Sequence, residues 1–311
     1  MSANHRFEFG LTPPLGIRGL YDFPRSEFMP GLYRNLDVAS QGFSSIWLND
    51  HLESGEDFMM ECWTMLTWLA SRYPGLTVGT IVMCNMFRSP AVVAKMGATL
   101  QEFSQGRFVL GYGSGGGSME SERVHYGLGA SSNRQRAEML EEAVQIIRAM
   151  WTEPSPSFNG KHYSVENAAC VPRPDPAPPI LIGGVGERYT LPLVARRADW
   201  WNLAYNVLPE APAKMDALRR ICVQEGRDFG SIRKTITAIV FVDRDHSRAM
   251  EMNREWEERG QPQIAGDPAA IREQFDEFAE LGYSMSMLSF PRFPETDELR
   301  LFMDEVVPHF S

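Results

Sequence analysis

Residues 76–117 read LTVGTIVMCNMFRSPAVVAKMGATLQEFSQGRFVLGYGSGGG, and this stretch decides the fold. Its first part, 76–83, is apolar and β-branched enough for a strand buried on both faces. Ser89 offers an N-cap oxygen, and Pro90 suits a first helical position, where no N–H is needed. The helix runs to about Phe103. Gly106 ends it, and 107–110 make a second short buried strand. A strand–helix–strand crossover of this length joins parallel strands. Both strands run into polar or glycine-rich loops on one side of the sheet, where α/β folds hold their ligands.

Outward from it the same rhythm repeats. Strands are expected at 7–11, 45–48, 180–182, 200–204, 235–242 and 284–290. Helices are expected at 28–41, 57–72, 187–197, 211–225, 247–259, 268–281 and 297–310. A helix-to-strand junction recurs in ASQGFSSIW (39–47), FSQGRFVLG (103–111) and AELGYSMSM (279–287), each with a glycine suited to a left-handed helix end. Eight strands alternating with helices predict a single (β/α)8 barrel spanning 1–311. The segment 114–179 interrupts the rhythm and reads as an insertion over the barrel mouth. It carries one clear helix, 133–151, capped at Ser131 or Ser132. Residues 117–130 lack helical periodicity, and PRPDPAPP (172–179) reads as an extended linker.

Composition bounds the function. The chain has 311 residues, 43% hydrophobic, with a net charge of −10. That charge argues against a nucleic-acid or anionic-membrane partner. Cys62, Cys84, Cys170 and Cys222 have no CxxC spacing, so neither a disulfide framework nor a zinc site is expected. The N-terminus does not resemble a signal peptide, and no apolar run approaches the length of a membrane helix, so a soluble cytoplasmic protein is expected.

Residues 111–116 satisfy G-x-G-x-x-G, the dinucleotide fingerprint. The context is wrong for it, because the motif follows the fourth strand and opens no periodic helix. A glycine loop at a barrel mouth still lets backbone N–H groups approach a phosphate or a flavin.

Several stretches together resemble the bacterial luciferase-like family of flavin monooxygenases and reductases: GFSSIWLNDH (42–51), residues 78–116, RQRAEMLEEAVQIIRAMW (134–151) with FNGKHY (158–163), residues 178–202, and GDPAAIREQFDEFAELGY (266–283). The resemblance implies the barrel argued above, a homodimer, and a cofactor that is FMN or the deazaflavin coenzyme F420. Asp50-His51 resembles the deazaflavin branch, where the aspartate holds the ring's polar edge and the histidine lies beside the reacting carbon. The resemblance places a non-prolyl cis peptide at Ile81-Val82 against the ring face. It sets Cys84 and Asn85 at the pyrimidine edge, Ser114 and Gly115 along the cofactor chain, and Gly183, Gly184 and Gly186 at the phosphate region. Gly116 stands where a sugar-phosphate dehydrogenase of the family has a catalytic glutamate.

Plainer readings stand beside these. Asp50-His51 also suits a structural turn, and Cys84 a buried thiol. Tyr21 and Phe23, on the long loop 12–27, and Phe58 and Met59 are expected to contact a small organic substrate. Arg88 and Arg134 read as salt-bridge residues or as cofactor-anion ligands. His125 and His162 are expected on the surface, and Glu120 and Glu122 on a solvated face, the alternative being that one of the two glutamates replaces the one missing at Gly116. The leading expectation is an F420-dependent oxidoreductase that moves a hydride between deazaflavin C5 and the substrate, with His51 orienting or protonating the reacting group. The alternatives are an FMN-dependent monooxygenase and a barrel that binds flavin without turnover.

Overall fold

The computed structural model describes residues 7–17, 20–116 and 119–310. Eight parallel strands form the barrel: β1 (Glu8–Leu11), β2 (Ser45–Leu48), β3 (Thr77–Thr80), β4 (Phe108–Gly113), β5 (Ile180–Gly183), β6 (Trp200–Leu203), β7 (Arg233–Val242) and β8 (Met285–Ser289). Each pairs with the next in chain order, and β8 returns to β1 with Phe9 opposite Ser286, which closes the sheet. The (β/α)8 expectation holds.

Two layers of core follow from strand alternation. Ile46 and Leu48 face the helices, while Trp47 points into the barrel with Val109, Leu181, Met285 and Met287. Trp47 fits because Gly10 and Gly79 flank it. A Cβ at Gly79 would lie 2.3 Å from the indole. The junction glycines divide by cause. Gly106 and Gly282 have φ of 85° and 101° and need glycine's freedom. Gly42 is not left-handed, contrary to expectation; a Cβ there would instead meet Met303 at 2.8 Å.

Several expected elements are corrected. Ser89 precedes the helix Pro90–Phe103 but makes no side-chain cap bond; Pro90 carries that start. The helix expected from 57 begins only at Cys62, where Glu61 accepts from the N–H groups of Trp63 and Thr64. Residues 58–60 are extended instead and tie to 15–17, with Ile17 N–H on Phe58 O (2.9 Å) and Met60 N–H on Leu15 O (2.8 Å). Between β3 and its short continuation Met83–Cys84 lies a cis peptide at Ile81-Val82.

The segment 114–179 is not one insertion. Its long helix, Asn133–Thr152, starts on a Ser132 capping box and packs between Pro90–Phe103 and Thr190–Arg197 as the barrel's own fourth helix. Trp151 anchors it by donating to Ala94 O at 2.8 Å, over the space left by Gly97. What remains as addition is a hairpin, Phe158–Asn159 with Ser164–Val165, and a short helix, Met119–His125, where no helix was expected. The expected aperiodic stretch begins at Gly117, which with Ser118 lies outside the described residues. A further unexpected strand, Ile264–Gly266, pairs with the outer end of β7 and holds the helix His246–Glu258 against the mouth.

Candidate active site

The C-terminal ends of the strands converge on a cavity of about 690 Å³. β2 contributes Asn49 and His51, β3 Ile81 and Val82, and β5 Gly183 and Gly184. β6 contributes Asn202, Ala204 and Tyr205, β7 Thr237 to Ile239, and β8 Ser289. The loop with Leu20 and Tyr21 closes one side, and Trp256 and Arg259 the outer wall. Val82 projects toward three glycines. A Cβ at Gly113 would meet its side chain at 2.5 Å, at Gly183 at 3.1 Å and at Gly111 at 3.2 Å. Glycine at the ends of β4 and β5 thus makes room for a bulky residue on the cavity wall.

The expected site residues separate into groups. His51, Ile81, Val82, Gly183, Gly184, Tyr21 and Met59 line the cavity. Phe23 and Phe58 do not. Phe23 is buried against Phe293 (centroids 4.8 Å apart), and Phe58 packs on Phe28 at 5.0 Å, so both support the wall from behind. Asp50 is fully buried beneath the mouth, not on the cavity surface. Arg88 grips it with two prongs, and the Cys84 N–H donates to it at 3.0 Å. Burial pushes the Asp50 carboxyl upward, while Arg88 and the Cys84 N–H pull it back. Arg88 is therefore a salt-bridge residue; so is Arg134, on the surface with Glu138. Burial also raises the Cys84 thiol to about 11, which keeps it from serving as a thiolate.

Ser114, Gly115 and Gly186 sit beside the cavity wall rather than on it. Gly115 is left-handed at φ 63°, and a Cβ there would fall 2.2 Å from Cys84 Sγ. The buried Arg123 guanidinium donates to Gly115 O from beneath the loop. Asn85, next to Cys84, is fully buried with both amide atoms unpaired.

Glu122 departs most from expectation. It is 2% exposed, not solvated. Its Oε1 lies 2.8 Å from His51 Nδ1, and its Oε2 accepts from the Leu52 N–H at 2.8 Å. The short helix Met119–His125 delivers it from 71 positions away. Residues 119–125, MESERVH, carry no apolar stripe that would mark which carboxylate turns inward. His125 meets the expectation of a surface residue, paired with Glu53 at 2.6 Å; His162 is partly enclosed against Glu138.

A closed parallel barrel with a histidine, a valine ridge and paired glycines around a cavity at its C-terminal mouth has the build of a barrel enzyme. The family model for luciferase-like monooxygenases matches residues 36–263. The chain belongs to that family. It is 31% identical to an F420-dependent glucose-6-phosphate dehydrogenase of Nakamurella multipartita over 79% of this chain and 74% of that one. An F420-dependent secondary alcohol dehydrogenase, solved with an F420-acetone adduct, superposes with a TM-score of 0.83 at 18% identity, covering 98% of this chain and 99% of that chain. The monooxygenase RslO1 from Streptomyces bottropensis does so at 0.82 and 19%, covering 98% and 100%. These two structures share the fold across both reaction classes.

Proposed function

We infer that the protein is a coenzyme F420-dependent oxidoreductase acting on a small organic alcohol or carbonyl compound. The observation that carries the reading is His51 on the wall of the same cavity that Val82, Gly183 and Gly184 also line. The curated relative named above, with its F420 chemistry, supports it.

The residues present fit the cofactor. Asn85 lies behind the cavity wall rather than on it, but its buried, unpaired amide would offer one donor pair and one acceptor, the complement of a pyrimidine-dione edge. Leaving such an amide unmatched costs about 1 to 3 kcal/mol per group. Gly183, Gly184 and Gly186 precede the helix Thr190–Arg197, whose N-terminus favours a phosphate. Ser114 and Gly115 would hold the cofactor chain between these two ends. Ile81 and Val82 would back the ring. Asp50 reaches the ring only through what it holds: it fixes the Cys84 backbone, and so the position of Asn85.

When bound, F420 supplies a two-electron hydride donor or acceptor. The chain supplies the rest. His51 holds or moves the proton at the substrate oxygen. Tyr21, Met59, Ile239 and Trp256 give the substrate an apolar and aromatic wall and limit water. Asn202 is fixed by Thr235 and Thr237, so its amide holds one orientation at the cavity floor. The reading includes a soluble cytoplasmic homodimer; no helix among the described residues is long and apolar enough to cross a membrane.

Titration of the protein with F420 and, separately, with FMN tests this reading, followed by reduced F420 with a panel of small ketones. Tight F420 binding with ketone-dependent oxidation supports it. FMN binding alone, with oxygen consumption by the FMNH2-loaded protein, points to the monooxygenase instead.

A further inference from the structure

Two of the bonds that Glu122 makes together dictate where a proton sits. One oxygen faces His51 Nδ1 and the other accepts from the Leu52 N–H, each at 2.8 Å. A backbone N–H is a permanent donor. A carboxylate is acceptor-only, so the His51 nitrogen facing it must carry a hydrogen. The Glu122 side chain is 3% exposed, and water does not compete freely for either oxygen. Two adjacent residues, His51 and Leu52, are thus locked to one carboxylate from a distant helix.

We propose that Glu122 is a positioning residue that fixes the tautomer of His51, with the proton on Nδ1 and the lone pair on Nε2. The consequence for chemistry rests on the F420 reading above; the tautomer itself does not. With the lone pair on Nε2, His51 is a base toward an alcohol. It takes the hydroxyl proton as the carbinol C–H electron pair leaves as hydride to the deazaflavin, and the carbonyl forms. In the reverse direction the imidazolium returns that proton to the oxygen as hydride reaches carbon. The Glu122 carboxylate, 2.8 Å from Nδ1, would offset the imidazolium charge. Glu122 meets the imidazole at Nδ1, whereas the substrate would meet it at Nε2.

Glu122→Gln gives a sharp test, because Leu52 removes the ambiguity of the amide. The Gln oxygen must face the Leu52 N–H, since its NH2 there would set donor against donor. The NH2 then faces His51 Nδ1, which must become an acceptor, and the ring proton moves to Nε2. The measurement is 15N NMR of histidine-labelled protein without cofactor, at a pH where the imidazole is neutral. His51→Asn identifies the His51 signals among the six histidines. The expected wild-type result is a protonated Nδ1 and an unprotonated Nε2, and the two exchange identity in Glu122→Gln. A wild-type ring protonated at Nε2, or a Glu122→Gln ring unchanged from wild type, overturns the proposal. If Glu122→Gln fails to fold, the wild-type spectrum alone decides. Glu122→Asp, one methylene short, is expected to leave a mixture of tautomers. Because no cofactor is present, failure here is distinct from a failure to bind F420.

Discussion

Arg88 holds both oxygens of Asp50, with Nη1 2.8 Å from Oδ2 and Nη2 3.1 Å from Oδ1, and the carboxylate is fully buried. The pair joins the end of β2 to the loop after β3, so it fixes the two strand ends that present His51 and Val82. Burial works against the Arg88 charge, but bonding to Asp50 and Glu61 outweighs it and pushes the guanidinium above its ordinary range.

Removing one partner strands the other. Arg88→Ala is expected to lower stability by about 3 to 5 kcal/mol, the usual consequence of leaving a buried charge unpaired. Arg88→Ala with Asp50→Asn should recover part of that loss, because the neutral amide still accepts from the Cys84 N–H. Urea unfolding of the two variants measures it. Equal loss in both would show that the ion pair is not the cause.

The glycine loop separates two kinds of intolerance. A Cβ at Gly111 would lie 1.8 Å from the Thr80 backbone oxygen, which cannot move without breaking the sheet. Gly111→Ala should fail to fold. At Gly115 the obstacle is the Cys84 sulfur, at 2.2 Å. Gly115→Ala should be destabilised, and Cys84→Ala in the same chain should restore much of the loss. Some remains, because φ of 63° costs a non-glycine residue about 1 to 2 kcal/mol. Thermal melts of the single and double variants give the comparison.

Glu298 predicts a pH dependence away from the cavity. Burial raises its carboxyl from an ordinary 4.5 to about 7, against the pull of the Arg292 N–H. Its Oε1 has no hydrogen-bond partner. The folded state therefore holds a proton that the unfolded chain releases near pH 4.5. Stability from the neutral form is complete below 4.5 and is lost as pH rises to about 7, by about 3 kcal/mol. Glu298→Gln should match wild type near pH 4 and exceed it at pH 8. Denaturant midpoints across that range test the sign; a wild-type curve that rises from pH 5 to 7 relative to Glu298→Gln would refute it.

His51→Asn keeps a hydrogen-bonding side chain but cannot exchange a proton near neutral pH. F420 affinity, followed by fluorescence quenching, should change little. Turnover of reduced F420 with a responsive ketone should fall roughly 10²- to 10⁴-fold, the range for a positioned acid–base group. Full turnover would reduce His51 to a packing residue.

Gly184→Asp places a carboxylate at a φ of 115°, beside Thr190 and the helix N-terminus proposed for phosphate. Loss of F420 affinity is expected, with the barrel intact by circular dichroism. Unchanged affinity would move the phosphate elsewhere.

The barrel was legible in the sequence because its determinants are local. A buried strand declares itself by a short apolar run, and its helix by a proline start or a glycine end, as at Pro90 and Gly106. The strand ends then place Asp50, Val82 and Gly184 near one mouth without any knowledge of packing. What the tertiary structure decided are the contacts between segments far apart in the chain. Asp50 lies below the cavity because Arg88 claims it. Residues 58–60 are extended because 15–17 satisfy their backbone. The long helix 133–152 belongs to the barrel because Trp151 finds Ala94 and the space at Gly97. Glu122 is buried because His51 and Leu52 offer two partners for its oxygens. A polar side chain bears no local mark of such a fate: a carboxylate in a short helix reads as solvated until a distant donor is brought within 3 Å of it.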